Sequence, residues 1–437
     1  MISHPSEVAR FDIARSIPFE RSLPLDVARQ ALVDSLQAAG LHWRTEWTGE
    51  LFRTAKCTLF NADGRVLERG FGKGPEFASE VGAMFEATEH WFGRFENTDQ
   101  SEVTYVDSGE YCRRTSLLNP LLRELIETSE RAPIAVRTYR PLGGGCEQPY
   151  PVALASPAYV DERRASAGLS DADRFNYSNI ANYCSNSGIA IGSNQLDATI
   201  HGLLEAVERD ALSDFLVAAF LRRDPKAIRI IARESLPEGL RHLLELADHE
   251  IASEIMVLDL TNRFGIPCFC ATRKVGRLTV ELSGFGCSLD KGHAFRRSVY
   301  ELVQCFHITE RFYPSDFSLR AAKVISRLSD FPFHLRCATM HIGTWAQRIG
   351  WTCADFEQVE AVVPSSEPTV YLSQLVSRIE RQGHHSYSSV LAVLPKGEHV
   401  VHSLIERQEH FYCAMEGSFV LPDPSRWPEL NNPRALQ

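Results

Sequence analysis

Three stretches of the chain set acidic or amide side chains three residues apart in apolar surroundings. The first is Ala83-Met-Phe-Glu86-Ala-Thr-Glu89-His90-Trp91-Phe92, the second Gly202-Leu-Leu-Glu205-Ala-Val-Glu208-Arg209-Asp210-Ala211, and the third Arg297-Ser-Val-Tyr-Glu301-Leu-Val-Gln304-Cys305-Phe306. At that spacing both members of a pair stand on one face of a helix. A carboxylate drawn into apolar surroundings costs roughly several kcal/mol unless cations or hydrogen bonds compensate, and two side by side raise each other's pKa. Magnesium is the natural compensation, because it prefers oxygen ligands and shares its shell with water and phosphate. The pattern alone is cheap. Glu124-x-x-Glu127-x-x-Glu130 and Glu406-x-x-Glu409 have it too and read as solvated helix faces, and structural salt bridges would explain any single pair. What carries weight is the combination of three apolar helices, two of them preceded by glycine-containing turns.

The first turn, Gly72-Lys73-Gly74, offers backbone N–H groups and one cation to an anion. It is not a P-loop: Lys73 is followed by glycine rather than Ser or Thr. Its plain alternative is a hairpin end with a solvated lysine. Arg209 and Arg297 lie within a turn of the acidic pairs and could grip phosphate oxygens with a planar fork of donors, or simply pair with Glu208 and Glu301.

The elements that must position these side chains follow from periodicity. Residues 25–39 have helical spacing. Strands are expected at 42–48, 52–61 and 65–69, the last two joined by a turn at Asp63-Gly64, with a long helix starting near Pro75. Residues 107–132 read as loop and helix, 133–160 as short strands, and 161–185 as a polar exposed loop. The turn Gly188–Ser193 leads into a second long helix at 195–219, and another helix covers 234–249. Strands at 255–259, 267–273 and 278–283 precede the third long helix at 292–310; later, 388–394 reads as a strand. Trp91, Trp345 and Trp351 read as core or subdomain contacts, and His384-His385 as a solvated pair.

With 437 residues, two or three subdomains are expected. The proportions, 44% hydrophobic and 23% charged, are those of a soluble globular protein, and a net charge of −10 opposes broad binding to nucleic acid or anionic membrane. Met1 to Val8 does not read as a signal peptide, and no apolar run is long enough to span a bilayer. Eleven cysteines without a CxxC pair imply reduced thiols, a cytoplasmic setting and no structural zinc; Cys268 and Cys270 would point to opposite faces of a strand. No G-x-S-x-G elbow is present.

Several of these segments together resemble the YcaO family. Gly72-Lys73-Gly74 with Glu86-x-x-Glu89 is similar to the first part of its nucleotide motif. Ser185-Asn186-Ser-Gly188-Ile-Ala-Ile-Gly192, Asp197-Ala and Glu205-Ala-Val-Glu208-Arg209-Asp210-Ala211 resemble its most distinctive segment, and Arg297-x-x-x-Glu301-x-x-Gln304 its third. The resemblance implies an α/β (α+β) fold with mixed sheets and long helices enclosing an ATP and Mg2+ site without a P-loop. It implies that Glu86, Glu89, Glu205, Glu208 and Glu301 surround the metal, and that Lys73, Asp197, Arg209, Arg297 and Gln304 hold the nucleotide. Glu205, Glu208 and Arg297 would carry catalysis. Departures from the family pattern are His90 where arginine is usual, Gly82 for serine and Ser193 for asparagine; the last two resemble the microcin-type azoline cyclodehydratase branch.

The implied chemistry is phosphorylation of a peptide amide oxygen after a nucleophile adds to its carbonyl. Cys, Ser or Thr of a ribosomally made precursor peptide would give thiazoline or oxazoline, and external sulfide a thioamide. Phosphoryl transfer of this kind demands positioning and charge neutralisation more than an enzyme nucleophile. Azoline formation is the expectation. Its rivals are thioamidation or another amide modification, and a non-catalytic nucleotide-binding accessory role, which His90 favours. Azoline-forming members commonly end in PxPxP, whereas here Pro422-Asp-Pro424 lies well short of the end. Expected partners are the precursor peptide, a separate leader-peptide-binding protein resembling a ubiquitin-activating enzyme, and in some systems a flavin dehydrogenase; a homodimer is left open. The expected division is an N-terminal extension at 1–50, the YcaO domain at 51–420 and an irregular tail at 421–437.

Overall fold

The computed structural model describes residues 17–165 and 172–428. The readings of the first eight residues, of 166–171 and of the tail from 429 lie outside them. In chain order, α1 (Leu25–Ala38) leads to strands β1 (His42–Thr48), β2 (Arg53–Phe60) and β3 (Val66–Gly74), then α2 (Glu76–Phe92). Next come β4 (Val103–Asp107), β5 (Pro133–Pro141), β6 (Gln148–Pro151), β7 (Ile189–Gly192) and α3 (Gln195–Leu216). Then follow β8 (Arg229–Ile231), α4 (Glu238–Glu250), β9 (Ile255–Asp259), β10 (Cys268–Arg273), β11 (Ser283–Cys287) and α5 (Lys291–His307). The remainder is α6 (Pro314–Leu328), α7 (Pro332–Thr339), α8 (Ile342–Ile349), β12 (Thr352–Ala354), α9 (Pro368–Glu380), β13 (Ser386–Val393) and β14 (His399–Ile405).

The strands form three sheets, ordered β1-β2-β3, β4-β5-β13-β14-β7 with β6 also on β5, and β11-β10-β9-β8-β12. Each sheet carries one of the three long helices. α2 lies on β3, α3 on β14 and β7, and α5 on β11 and β10. The mixed α/β architecture expected from the sequence is therefore present. Among the described residues no helix is long and apolar enough to cross a membrane.

Glycines let the helices come this close. A Cβ on Gly72 of β3 would stand 1.7 Å from the backbone oxygen of Ser79 and 2.6 Å from the nitrogen of Ala83, both in α2. On β11, a Cβ at Gly284 would meet Leu302 N at 2.1 Å and Ser298 O at 2.2 Å in α5. These contacts explain two boundary errors. Gly72-Lys73-Gly74 is not a turn before a helix but the end of β3, with α2 starting directly after Pro75. The strand expected at 278–283 is instead Ser283–Cys287, whose glycines mask its β character and exist to seat α5. Gly72→Ala should lower stability by about 1–3 kcal/mol or more through backbone overlap, seen as an earlier urea midpoint. Gly239→Ala in α4, whose Cβ meets nothing within 4 Å, should be neutral or stabilising. Equal effects at the two positions would remove the close-approach explanation.

Other expectations change as well. Phe175, Tyr177, Ile180 and Tyr183 are core residues, so 172–185 is not the exposed polar loop its composition implied. Glu409 is no solvated helix residue. It is 1% exposed and accepts the backbone N–H groups of His410, Phe411 and Asp423. Trp345 is buried, whereas Trp351 is 50% exposed. Strand β14 and helices α6 to α9 were not read at all.

Candidate functional site

A cavity of about 690 Å³ opens where the three long helices face one another. Their placement follows from local sequence. The side chain of Asn194 accepts the Asp197 N–H at 2.9 Å and starts α3. Asp290 does the same for the His293 N–H at the start of α5. From those caps, helical spacing carries Glu205, Glu208 and Arg209, and Arg297, Glu301 and Gln304, into the cavity wall. Lys73 from β3 and Glu86, Glu89 and His90 from α2 complete the other side.

Nine of the ten residues singled out in the sequence thus line one cavity: Lys73, Glu86, Glu89, Glu205, Glu208, Arg209, Arg297, Glu301 and Gln304. Asp197 does not reach it. Its side chain is fully buried and is taken by Ser22, whose backbone N–H donates to Oδ2 at 3.1 Å and whose hydroxyl donates to Oδ1. Asp197 therefore tethers a strap, residues 17–23, across the cavity mouth.

That strap supplies residues that sequence reasoning missed. Glu20, 8% exposed and in the left-handed region at φ 65°, accepts the hydroxyls of Ser288 and Tyr371 at 2.6 Å each and lies 3.7 Å from Arg297. Arg21 follows it into the cavity and donates to the Glu20 carbonyl at 3.2 Å. His201 and His293 also line the cavity. Those two were legible: each sits four residues before a chosen residue, Glu205 or Arg297, and so on the same helical face. Nothing in the local sequence marks the strap.

Charge is unevenly satisfied. Lys73 Nζ pairs with Glu301, and the lysine draws that carboxyl below its ordinary range against the opposing effect of burial. Arg209 lies 3.4 Å from both Glu205 and Glu208 and is kept protonated by Glu208, Glu205 and Glu301 although burial works against it. Arg297 is likewise held charged, against burial, by Glu20, Glu208 and Glu301. Glu208 is nonetheless pushed up to about 7, chiefly by burial. Glu86 is raised by burial despite His90 and the Phe71 N–H, which donates to Oε2 at 2.8 Å. Glu89 is raised well above the carboxylate range by burial and then by Glu205; it accepts the Ile191 N–H at 2.8 Å. His201 is held neutral by burial and by Arg21, Arg297, Lys73 and His293, and its buried Nδ1 lacks a hydrogen-bond partner among the described residues. Burial likewise lowers His293 to about 4. His90, where the family pattern has arginine, contacts the Arg69 carbonyl at 3.0 Å and stands 3.9 Å from Glu86.

Salt bridges alone do not account for this set, because among the described residues Glu89 makes no contact ion pair and one arginine is shared by Glu205 and Glu208. Nor, among the described residues, do three metal-ligating groups already converge on one point. The carboxylates line facing walls and leave room for a ligand that brings its own oxygens. That is the requirement of magnesium, which keeps waters and phosphate oxygens in its shell. The donor set therefore fits a magnesium nucleotide: acidic walls for the cation, with Lys73, Arg21, Arg209 and Arg297 beside them for an anion.

Comparison with known proteins agrees with that fit. A family model described as YcaO cyclodehydratase, ATP- and Mg2+-binding, matches residues 71–405. Among solved structures, the chain is similar to YcaO from Methanopyrus kandleri bound with AMPPCP and Mg2+, at 15% identity and a TM-score of 0.64, covering 94% of this chain and 99% of that one. It is similar to a heterocyclase in complex with substrate and cofactor, at 18% identity and a TM-score of 0.62, covering 92% of this chain and 56% of that one. It also resembles the E. coli microcin synthetase McbBCD complex with pro-MccB17 bound, at 14% identity and a TM-score of 0.51, covering 83% of this chain and 86% of that one. A search of curated protein sequences returns no match.

Proposed function

The chain belongs to the YcaO family of ATP- and Mg2+-binding, cyclodehydratase-like enzymes, and from that premise we propose that it closes azoline rings in a ribosomally made precursor peptide. The observation that supports this most is the convergence of five glutamates from three helices on one cavity that also holds cations. Bound magnesium would neutralise the triphosphate and leave its terminal phosphorus open to attack. The residues that would hold it are Glu86, Glu89, Glu205, Glu208 and Glu301. Lys73, Arg209, Arg297 and Gln304 would orient the phosphates. Asp197 serves the site at one remove, by fixing the strap that brings Arg21 to it.

The reaction balances as follows. The side-chain sulfur or oxygen of Cys, Ser or Thr bonds to the carbonyl carbon of the preceding amide and loses its proton. The carbonyl oxygen displaces ADP from the γ-phosphorus. Phosphate then leaves carbon as the amide nitrogen gives up its proton, forming C=N. The charge that builds is on oxygen and phosphate, where preorganised cations help most. No enzyme nucleophile is required. Partner proteins belong to the same proposal: a separate leader-peptide-binding chain, with a flavin dehydrogenase where azolines are oxidised further.

Mass spectrometry of a precursor peptide after incubation with the protein, its partners and Mg-ATP tests the reading. Loss of one water per modified residue is expected. Exchange of oxygen for sulfur would replace it with thioamidation, and ATP hydrolysis without any mass change would reject amide modification.

A further inference from the structure

Charge is distributed unevenly over this acidic chain. Residues 314–350, from α6 to α8, hold Arg320, Lys323, Arg327, Arg336 and Arg348 against only Asp316 and Asp330, within a net charge of −10. Among the described residues, none of these five cations has an ion-pair partner, and neither has Arg223 just beyond the end of α3. Three of them converge. Arg336 lies over the rings of Phe333 at 4.6 Å and Trp345 at 4.8 Å. Arg223 lies 5.4 Å over Phe333, and Arg348 5.5 Å over Trp345. The two rings are buried and form a floor; Arg223 and Arg348 are exposed. Burial, and then the repulsion of Arg223 and Arg348, draws Arg336 below its ordinary pKa.

Two partly exposed phenylalanine rings lie beside helix α7, which carries Phe333 and Arg336. Phe331, 38% exposed, packs at a tilt on Phe419, ring centre to ring centre 4.2 Å. Helix polarity explains only part of the charge, since a helix C-terminus is equivalent to about half an electron. Arg336 Nε donates to the Pro332 carbonyl at 3.1 Å, which leaves its two terminal nitrogens for a carboxylate, the geometry that suits bidentate capture. The indole N–H of Trp345 donates to the Ala219 carbonyl at 2.8 Å, so the cluster is fixed to the π-helical turn Val217–Leu221 that continues the helix carrying Glu205. At 1.5 Å per residue it stands roughly 20 Å along that helix from the cavity.

We propose that this arginine face binds an acidic, aromatic-containing segment of the peptide substrate while the residues to be modified lie in the cavity. The inference rests on the function proposed above. About six extended residues span the separation. The geometry points to peptide rather than nucleic acid, because the cluster is three arginines wide and ringed by phenylalanines, enough for a few carboxylates and a side chain but not for a run of backbone phosphates.

Fluorescence anisotropy of the full chain with a labelled peptide rich in Glu and Phe provides the test. Binding that weakens with salt is expected, and R336Q/R348Q should weaken it about tenfold or more. R336K/R348K should retain a substantial part, and basal ATP hydrolysis should not change in either variant. Equal affinity in parent and R336Q/R348Q overturns the proposal. So does an RNA oligonucleotide that binds as tightly as the peptide. If the peptide binds as stated but no precursor ever changes mass, the azoline reading fails and the docking surface stands.

Discussion

Glu89→Gln should abolish Mg-ATP turnover while making the ligand-free protein more stable. Glu89 is buried beside Glu205 and Glu86, makes no ion pair among the described residues and feels Arg21 only weakly, so ionising it in the ligand-free site is costly. Glutamine keeps the shape and the oxygen that accepts the Ile191 N–H, and removes the repulsion. Glu208→Gln should be closer to neutral for stability, because that carboxylate gains something from Arg209 at 3.4 Å. Both variants should lose at least about a hundredfold in turnover, the scale on which single preorganised groups act on developing charge.

The dependence on pH has a definite sign. Glu89, Glu86 and Glu208 have folded-state pKa values above their ordinary ones. Stability tied to such groups is fully present below the unfolded pKa and is lost as pH rises through the folded value. For Glu208 that window runs from 4.5 to about 7. The empty protein should therefore melt progressively lower across this range, while the rise in Tm on adding Mg-ATP grows, since ligand binding favours the ionised carboxylates. A Glu89→Gln protein that melts lower than the parent at pH 8, or that keeps its full Mg-ATP shift, would show that these glutamates are structural.

The difference between what could and could not be read is physical. The helix-borne carboxylates were legible because their spacing conflicts with their apolar surroundings, and that conflict is local. The strap was not, because Ser22 meets Asp197 across 175 residues of chain and Glu20 meets Tyr371 across 351. Asp197 itself carried the right type for a polar site, yet its partner is the strap rather than the cavity. β11 was misplaced because Gly284 and Gly286 weaken a strand signal for the sake of helix packing. Glu409 was misjudged because its compensation comes from three backbone N–H groups, two of them local and one in the tail at Asp423.

The tail leads to the second large effect: Arg426→Met should destabilise the protein by about 3–5 kcal/mol, as expected when one member of a buried ionic network is removed. Arg426 reaches the face of α3 turned away from the cavity. Its Nη1 donates to Asp210 at 2.8 Å, and its Nη2 bonds Asp210 at 3.3 Å and also pairs with Asp214. Asp210 has no exposed side-chain surface, and Arg426 and Arg263 hold its pKa below the ordinary value against burial. Without Arg426, Arg263, 3.0 Å from Asp210 and 3.5 Å from Asp214, would be the one cation left among the described residues for a buried and a half-buried carboxylate, with only the Asn262 amide and the Glu409 N–H beside it. Asp214 is already pushed up to about 6 by burial and by Asp210. Removing the second negative charge in Arg426→Met/Asp214→Asn should therefore recover part of the loss. Asp210 comes directly after Arg209 and two residues after Glu208, so loosening it should also slow turnover with little change in the amount of folded protein at low temperature. Urea unfolding of the three proteins, with Mg-ATP turnover on the same samples, decides the matter. An Arg426→Met protein with the parent's midpoint would mean that the tail merely rests on α3, and no recovery in the double variant would remove the electrostatic explanation.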